Sequence, residues 1–279
     1  MAKKLDIAII GLGNWGTSLA YGCLSARVPL KEVAVRALPE ARSRLPVVRL
    51  EDAKLDARVL WICVRDAEIG DVAEQIAAQR GSLEGQIVVH SSGALSATVL
   101  EAAKRAGAQV GSIAPVMSFP TRAPVALNGV MFAIEAEKNI RTILELLVRT
   151  LGGDPFFIEA EKKPLYHAAA TMASPLLLAE LAAAVAAARS AGLPEKLAAK
   201  WVGALAQTTL KNFMARGAEK SFSGPFARGD VSTIRLHLQV LGEHPMLKEI
   251  YGQLARYAVE ELPVQNREEL SALLRKVEK

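Results

Sequence analysis

The chain has 279 residues, 51% of them apolar and 23% charged, which is the composition of a folded globular protein rather than a disordered one. Its net charge of +5 is spread along the sequence and aromatic residues make up only 5%, so neither a basic stripe nor a base-stacking surface for nucleic acid is expected. The two cysteines, Cys23 and Cys63, lie in apolar segments, which argues against a disulfide scaffold and favours a reducing, cytoplasmic compartment. The first apolar run, about five residues long, is too short for the core of a signal peptide.

Short runs rich in valine and isoleucine alternate with helical stretches in the first half of the chain. The predicted strands are 5–10, 32–36, 58–64, 86–91, 108–113, 130–135 and 156–159, and the predicted helices between them include 14–26, 67–80, 96–106 and 138–151. The strands lack a clean alternation of apolar and polar residues, as is typical of strands covered on both faces. This order predicts an α/β domain over residues 1–160, a doubly wound parallel sheet.

Long stretches rich in alanine and leucine replace these runs after about residue 160. They predict an all-α domain over residues 161–279, with helices at 164–191, 195–216, 231–242, 245–262 and 264–279. Gly217 stands where the second of these helices should end, and Asp230 where a side chain should cap the third.

The segment 168–188 is long enough to cross a bilayer. It contains Pro175 and Glu180, and it has far more alanine than leucine. Because alanine is nearly neutral toward lipid, we expect a helix buried in protein, at a subunit interface, and no membrane partner.

The sequence GLGNWG (11–16) follows the first predicted strand and opens the first helix. Gly11 allows a tight turn, Gly13 lets backbone approach a diphosphate, and Gly16 lets helix and strand pack closely. The N–H groups at the start of the helix, around Asn14 and Trp15, favour an anion. The pattern predicts a dinucleotide-binding loop, although a simple turn is the alternative.

Arg36 stands at the end of the second predicted strand, where the adenosine ribose of a dinucleotide would lie. The loop after it adds Arg42 and Arg44, and no carboxylate ends the strand. Guanidinium groups favour the 2′-phosphate of NADP over the free hydroxyl of NAD. The alternative is that these arginines are solvated loop charges.

Two later strand ends offer groups to the nicotinamide half of such a cofactor. Val64 follows the strand 58–64, and HSSGA (90–94) places Ser91, Ser92 and Gly93 after the next strand. A polar turn with a serine cap explains the second segment equally well.

The first long helix carries the candidates for proton transfer. His167 and Ser174 are seven residues apart, so they lie near one helix face, and Lys163 precedes the start of the helix. His167 is the preferred acid because its ordinary pKa is near neutrality, and a hydrogen-bonded structural histidine is the alternative. Pro175 should bend the helix beside Ser174.

Arg228, in the loop GPFARGD (224–230), is the candidate anchor for an anionic substrate. The four histidines are far apart and neither an HExxH nor a CxxC spacing occurs, so no metal site is expected. A serine-hydrolase elbow is also missing from the sequence.

Taken in order, these residues resemble a group of Rossmann-like proteins with a C-terminal helical domain of unknown function, often described as NADP-dependent oxidoreductases. The resemblance extends to pyrroline-5-carboxylate reductase and, more distantly, to the 6-phosphogluconate and 3-hydroxyacid dehydrogenases. It covers most of the chain and rests on GLGNWG (11–16), VVHSSGALSATVLEAAKRAGAQVGSI (88–113), SFP (118–120), LYHAAATMAS (165–174) and GPFARGDVSTIRLHL (224–238). It implies a Rossmann-like domain followed by a helical domain like the C-terminal domain of 6-phosphogluconate dehydrogenase, which dimerises and closes the site.

Two positions depart from the family pattern. Ala114 stands before Pro115 where the family usually has histidine, and Pro175 follows Ser174 where it usually has asparagine. The leading hypothesis is an NADPH-dependent reductase or dehydrogenase of a small anionic carbonyl or imine compound. These departures keep a second hypothesis open, a non-catalytic NADP-binding sensor or scaffold, and a nucleotide-sugar or flavin protein is a third.

Overall fold

The computed structural model describes residues 5–40 and 44–275. Within those residues, eight strands form one sheet in the order β3-β2-β1-β4-β5-β6-β7-β8. The strands are β1 (Ile7–Ile10), β2 (Leu30–Val35), β3 (Val47–Arg49), β4 (Val59–Ile62), β5 (Ile87–His90), β6 (Gln109–Pro115), β7 (Met131–Ala136) and β8 (Asp154–Phe157). Neighbouring strands run parallel except β6 and β7, which are antiparallel. The predicted α/β fold is confirmed, although the short edge strand β3 and the antiparallel pair were not predicted.

Four helices of the first half pack with this sheet. They are α1 (Asn14–Ser25), α2 (Ile69–Arg80), α3 (Glu101–Arg105) and α4 (Lys138–Thr150). Successive side chains of β1 enter different clusters: Ile7 and Ile9 join one with α1 and α4, and Ala8 and Ile10 join another with α2 and α3. Burial on both faces explains why the strands read as continuous apolar runs.

The second half is helical, as predicted. Its helices are α5 (Lys163–Thr171), α6 (Leu177–Ser190), α7 (Glu195–Ser221), α8 (Pro225–Arg228), α9 (Val231–Val240), α10 (Pro245–Glu261) and α11 (Arg267–Arg275). The chain divides into two compact units, one ending at Thr171, called here the sheet unit, and one beginning at Met172, called the helical unit. The domain boundary predicted between residues 160 and 161 precedes α5.

Three details of the helices differ from a regular pattern. Pro175 lies in a π-helical turn, Met172–Leu176, which accommodates its missing N–H. Gly217 has φ 76° and ψ 175°, which are not helical, so the regular helix stops there as predicted, and α7 joins two helical stretches across a kink at this glycine. Asp230 stands at the start of α9 but makes no side-chain cap, because its carboxylate pairs with Arg228 instead; the predicted cap was wrong.

One helical stretch of the described chain, Ala160–Ser190, has the length and apolar composition that a membrane span requires. A single stretch of this kind is weak evidence for a membrane. None of its most apolar window is buried inside the chain, so its apolar surface is open in the isolated molecule.

Candidate functional site

The loop between β1 and α1 has the geometry that its glycines predict. Gly11 has φ 105°, and a Cβ there would stand 2.5 Å from the carbonyl oxygen of Cys63. Gly16 packs directly on the Gly11 carbonyl, so a side chain would not fit there either. Both positions therefore need glycine to let the loop, β4 and α1 pack together.

Gly13 differs from its two neighbours because nothing lies within 4 Å of its Cβ position. Its backbone is extended, with φ −77°, so the fold itself does not demand glycine. The residue is the N-cap of α1, has no side-chain cap and is followed by a first turn without acidic residues. Open space beside the free N–H groups of a twelve-residue helix suits a phosphate group.

The side chains of Asn14 and Trp15 turn away from this open space. Asn14 Nδ2 donates to the carbonyl of Phe119 at 2.7 Å. The Trp15 ring packs against Trp61, Phe119 and Phe132, with centroid separations of 5.0–6.1 Å. These two residues can therefore offer a cofactor their backbone N–H groups, while their side chains fix α1 to the segment that follows β6.

A cavity of about 540 Å³ lies between the glycine loop and the ends of β2 and β4. Gly11, Gly13 and Val64 line one part of it, and the guanidinium-bearing residues Arg36, Arg65 and Arg122 line another. Arg44 is not among its lining residues, and Arg42 lies outside the described residues. The structure thus brings Arg36 and Val64 into one cavity with the loop, although Val64 was predicted on the nicotinamide side, and the cofactor-binding roles of both residues stay predictions.

Glu68 holds two of these arginines. Its carboxylate accepts from Arg36 Nη1 at 2.7 Å and from Arg65 Nη2 at 3.1 Å, and these two cations hold the pKa of Glu68 down at about 2. An anionic oxygen therefore already lies between two guanidinium groups, which is the environment that a ligand phosphate needs.

The turn after β5 is fixed by buried hydrogen bonds. Ser92 N donates to His90 Nδ1 at 3.1 Å, so the proton of the ring is on Nε2, which donates to Ser96 O at 3.2 Å. Ser92 Oγ donates to Asp66 at 2.7 Å and accepts from the backbone of Leu95 at 3.0 Å. Burial lowers the pKa of His90 to about 4, so this histidine is neutral near pH 7 and holds the turn.

Lys163 lies beneath the same turn with only 1% of its surface exposed. Its ammonium group donates to Ser92 O at 3.1 Å and to Ser112 Oγ at 2.5 Å, with the Glu135 carboxylate 3.8 Å away. Burial lowers the pKa of Lys163 to about 8, against the opposing effect of Glu135 and Asp66. In this position Lys163 fastens the start of α5 to the turn, and its predicted role in proton transfer stays a prediction.

His167 lies one helical turn beyond Lys163, exposed and packed against Gly93. A Cβ on Gly93 would stand 2.7 Å from His167 Nδ1, so the glycine makes room for the imidazole. The structure therefore brings His167 together with the serine turn at the ends of β4 and β5.

Ser174 and Arg228 belong to the helical unit. Ser174 is exposed in the π-helical turn, and Arg228 donates through Nε and Nη2 to Asp230 at 3.0 and 2.7 Å. Their predicted places in a site with His167 stay predictions. No group of three potential metal ligands occurs in residues 5–40 and 44–275.

Two family models match the sequence. A Rossmann-like domain matches residues 1–115, and the Domain of unknown function DUF2520 matches residues 130–258. The chain joins a Rossmann-like domain to a DUF2520 domain. The glycine loop, the serine turn, Arg36 and Arg65 lie within the residues that match the Rossmann-like domain, His167 lies within those that match DUF2520, and Arg122 lies between the two matches.

Solved structures share this architecture over the whole chain. A protein from Thermotoga maritima is 21% identical, with a TM-score of 0.72 over 98% of this chain and 100% of its own. The reductive aminase of Aspergillus terreus, in complex with NADPH and ethyl levulinate, is 18% identical with a TM-score of 0.66, covering 98% and 99%. The pyrroline carboxylate reductase of Plasmodium falciparum, with NADP bound, is 14% identical with a TM-score of 0.62, covering 99% and 97%. At these identities the likeness establishes the fold, and no curated protein matches the sequence.

Several residues of the Rossmann-like site were not predicted. Arg65, Glu68 and Arg122 line the cavity with Arg36, and His90 holds the serine turn. Arg65 and Glu68 follow the third predicted strand, and their position at the carboxyl end of that strand is a signal that could have identified them. Arg122 comes from a loop more than eighty residues away from Arg36, and no local pattern connects the two.

Proposed function

We propose that this protein is an NADP(H)-dependent oxidoreductase that acts on a small anionic carbonyl or imine compound, as a cytoplasmic homodimer. The observation that carries the proposal is the arginine-lined cavity that adjoins the open backbone of Gly13. A diphosphate fits the start of α1, and the cavity lies on the side where an adenosine would follow.

The residues present fit the phosphorylated form of the cofactor better than the free ribose. Arg36, Arg65 and Arg122 would hold the 2′-phosphate, which would displace Glu68 from the two arginines that it now pairs. The dinucleotides in the aminase and the pyrroline carboxylate reductase, NADPH and NADP, support the same choice.

NADPH bound in this way would supply the hydride for the reaction. The chain's own contribution is the turn after β5 and the imidazole packed on it. His167 is exposed and keeps a ring nitrogen beside Gly93, so it can hold a proton for a carbonyl oxygen or an imine nitrogen. Lys163, His90 and Asp66 would keep the turn rigid beneath that proton.

The substrate class rests on two supports. Pyrroline carboxylate reductase and reductive aminase, by their names, act on carbon–nitrogen double bonds, which favours an imine or its parent carbonyl compound. An anionic group on the substrate would be anchored by Arg228, in competition with Asp230.

The homodimer rests on the apolar surface of the helical unit. Only Ala198 and Val202 are buried along the 27 residues of α7, while Trp201 is 54% exposed and Met214 77%. Surfaces of this kind are normally covered, and a second copy of the same helices is the simplest cover.

Two measurements test the proposal. Calorimetry with NADPH and NADH should give binding of NADPH at least about tenfold tighter, since a phosphate gains several charge-assisted hydrogen bonds. Turnover should then be sought with a panel of keto acids, cyclic imines and ketone–amine pairs, followed by NADPH absorbance. The absence of heat with either coenzyme would reject the cofactor assignment.

A second function, NADP binding without catalysis, is favoured by Ala114. Its methyl group is buried in β6, so it offers no proton at the position where the resembling proteins have histidine. Tight NADPH binding with no turnover across the panel would favour this sensor function over the enzyme.

A further inference from the structure

The hydroxyl of Ser91 is used in an unusual way. Trp15 Nε1 and Trp61 Nε1 both donate to Ser91 Oγ, each at 2.7 Å. An indole N–H can only donate, and a serine oxygen has two lone pairs. Both lone pairs are therefore occupied, and the one function left to this hydroxyl is to donate its own proton.

That proton has a poor acceptor within the chain. Among the described residues, the remaining contact of Ser91 Oγ is Cys63 Sγ, at 3.9 Å. Sulfur is a weak acceptor, and burial raises the pKa of the Cys63 thiol, so the sulfur carries no charge near pH 7. Two donors on one oxygen also polarise its O–H bond and strengthen it as a donor. A ligand oxygen would be a much better acceptor than the thiol.

The position of Ser91 indicates which ligand atom this is. Ser91 follows β5, while Arg36 follows β2, and the strand order β2-β1-β4-β5 places the glycine loop between them. Three strand spacings separate the two strand ends, about 14 Å. With the diphosphate on the loop and the adenosine toward Arg36, the nicotinamide end extends toward Ser91.

We propose that Ser91 is an obligatory hydrogen-bond donor to the carboxamide oxygen of the nicotinamide, an inference that rests on the proposed function. The two indoles give this serine a selectivity that a freely rotating hydroxyl lacks. A free hydroxyl can accept from the amide NH₂ as readily as it donates to the amide oxygen. Ser91 can only donate, so it selects the oxygen edge of the carboxamide and thereby fixes the orientation of the nicotinamide ring.

The test compares NADP with 2′-phospho-ADP-ribose, which has the same adenosine, phosphates and second ribose but no nicotinamide. Calorimetry should show that Ser91→Ala weakens NADP about five- to tenfold, the effect of one hydrogen bond, and leaves 2′-phospho-ADP-ribose unchanged. Ser91→Thr keeps the hydroxyl and should restore most of the affinity for NADP.

Equal weakening of both ligands would overturn the inference, because Ser91 would then act by positioning Trp15 and the loop. Unchanged affinity for both ligands would overturn it as well. Failure of the wild-type protein to bind either ligand would instead reject the proposed function. If Ser91→Ala does not fold, since it leaves two indole N–H groups without an acceptor, Ser91→Cys should show the same selective loss for NADP, because a thiol donates weakly.

Discussion

The sheet unit buries most of its large apolar side chains, whereas the helical unit leaves many of them exposed. Strands of the sheet unit are covered on both faces by helices of the same chain, and Trp61 and Phe132 are fully buried. In the helical unit, a small core forms between α9, α10 and α11, while α6 and α7 leave most of their large apolar side chains in the open. The first unit buries most of its apolar side chains within itself, and the second leaves an apolar surface that the proposed dimer would cover.

The largest expected effect is the loss of the proposed dimer when a charge is placed on the apolar surface of the helical unit. Phe213, 53% exposed on α7, should become buried in the proposed dimer, so Phe213→Glu would place an unpaired charge there in each copy. Two such charges should weaken association by about 6 kcal/mol, from roughly 3 kcal/mol for each. Sedimentation equilibrium should show a dimer for the wild type and a monomer for the variant.

Leu146→Glu is the matched control, because Leu146 is 60% exposed on α4 of the sheet unit. It should leave the dimer intact. A monomeric wild-type protein, or a variant at Phe213 that still dimerises like the wild type, would contradict the proposed interface.

The next effect concerns the proposed binding of NADPH at the glycine loop (residues 11–16). Gly13→Val should weaken NADPH binding on the order of 100-fold, about 3 kcal/mol, because its side chain would fill the space proposed for the diphosphate. The melting temperature should stay close to that of the wild type, since nothing lies within 4 Å of the Gly13 Cβ position. Gly11→Ala should instead lower the melting temperature, because of its φ of 105° and the nearby Cys63 carbonyl. Undiminished binding by Gly13→Val would place the phosphates elsewhere.

A third effect is the pH dependence of the stability of the sheet unit, which contains the buried His90. The pKa of His90 is about 4 in the folded protein and about 6.5 when unfolded, so between these values only the unfolded chain binds the extra proton. The free energy of unfolding of the sheet unit should therefore fall by about 3 kcal/mol as the pH drops from 6.5 to 4. His90→Gln should lack this component in urea titrations across that range. Parallel pH profiles for the two proteins would show that His90 titrates normally.

The smallest effect concerns the preference for NADPH over NADH. Arg36→Asp should cost NADPH about tenfold in affinity and change NADH little, because a carboxylate repels the 2′-phosphate and accepts from a free 2′-hydroxyl. Arg44→Asp makes the same charge change outside the cavity and should shift neither affinity. Equal preferences in the two variants would indicate that charge alone, not position, attracts the coenzyme.

Local sequence patterns predicted much of the fold and part of the site. Strand and helix positions follow from runs and periodicity, and the glycine loop follows from GLGNWG. The direction of β7 was not predictable, because a strand's side-chain pattern does not record which way its neighbour runs. β3 was missed because three residues are too few to form a pattern.

The contacts that shape the site join residues distant in sequence. Ser91 receives its two indole N–H groups from positions 76 and 30 residues away, and Lys163 reaches Ser112 across 51 residues. Residue type gave serine and lysine as candidates, but only the packed sheet determines which group donates and which accepts. The sequence indicated Arg36 as a cation of the candidate site, but it did not indicate that Arg36 pairs with Glu68.

The two free cysteines allow thiol labelling to be used as a probe of the sheet unit. Cys23 and Cys63 are both buried there, and the helical unit has no thiol. Cys23 is 0% exposed, so a sulfhydryl reagent should reach it only while the sheet unit is transiently open, and its labelling rate measures how often that opening occurs, whereas Cys63 lines the cavity beside the glycine loop. Because Cys63 lies directly under Gly11, a coenzyme on the loop should slow the labelling of Cys63, so occupancy can be followed by mass spectrometry without any substrate in hand.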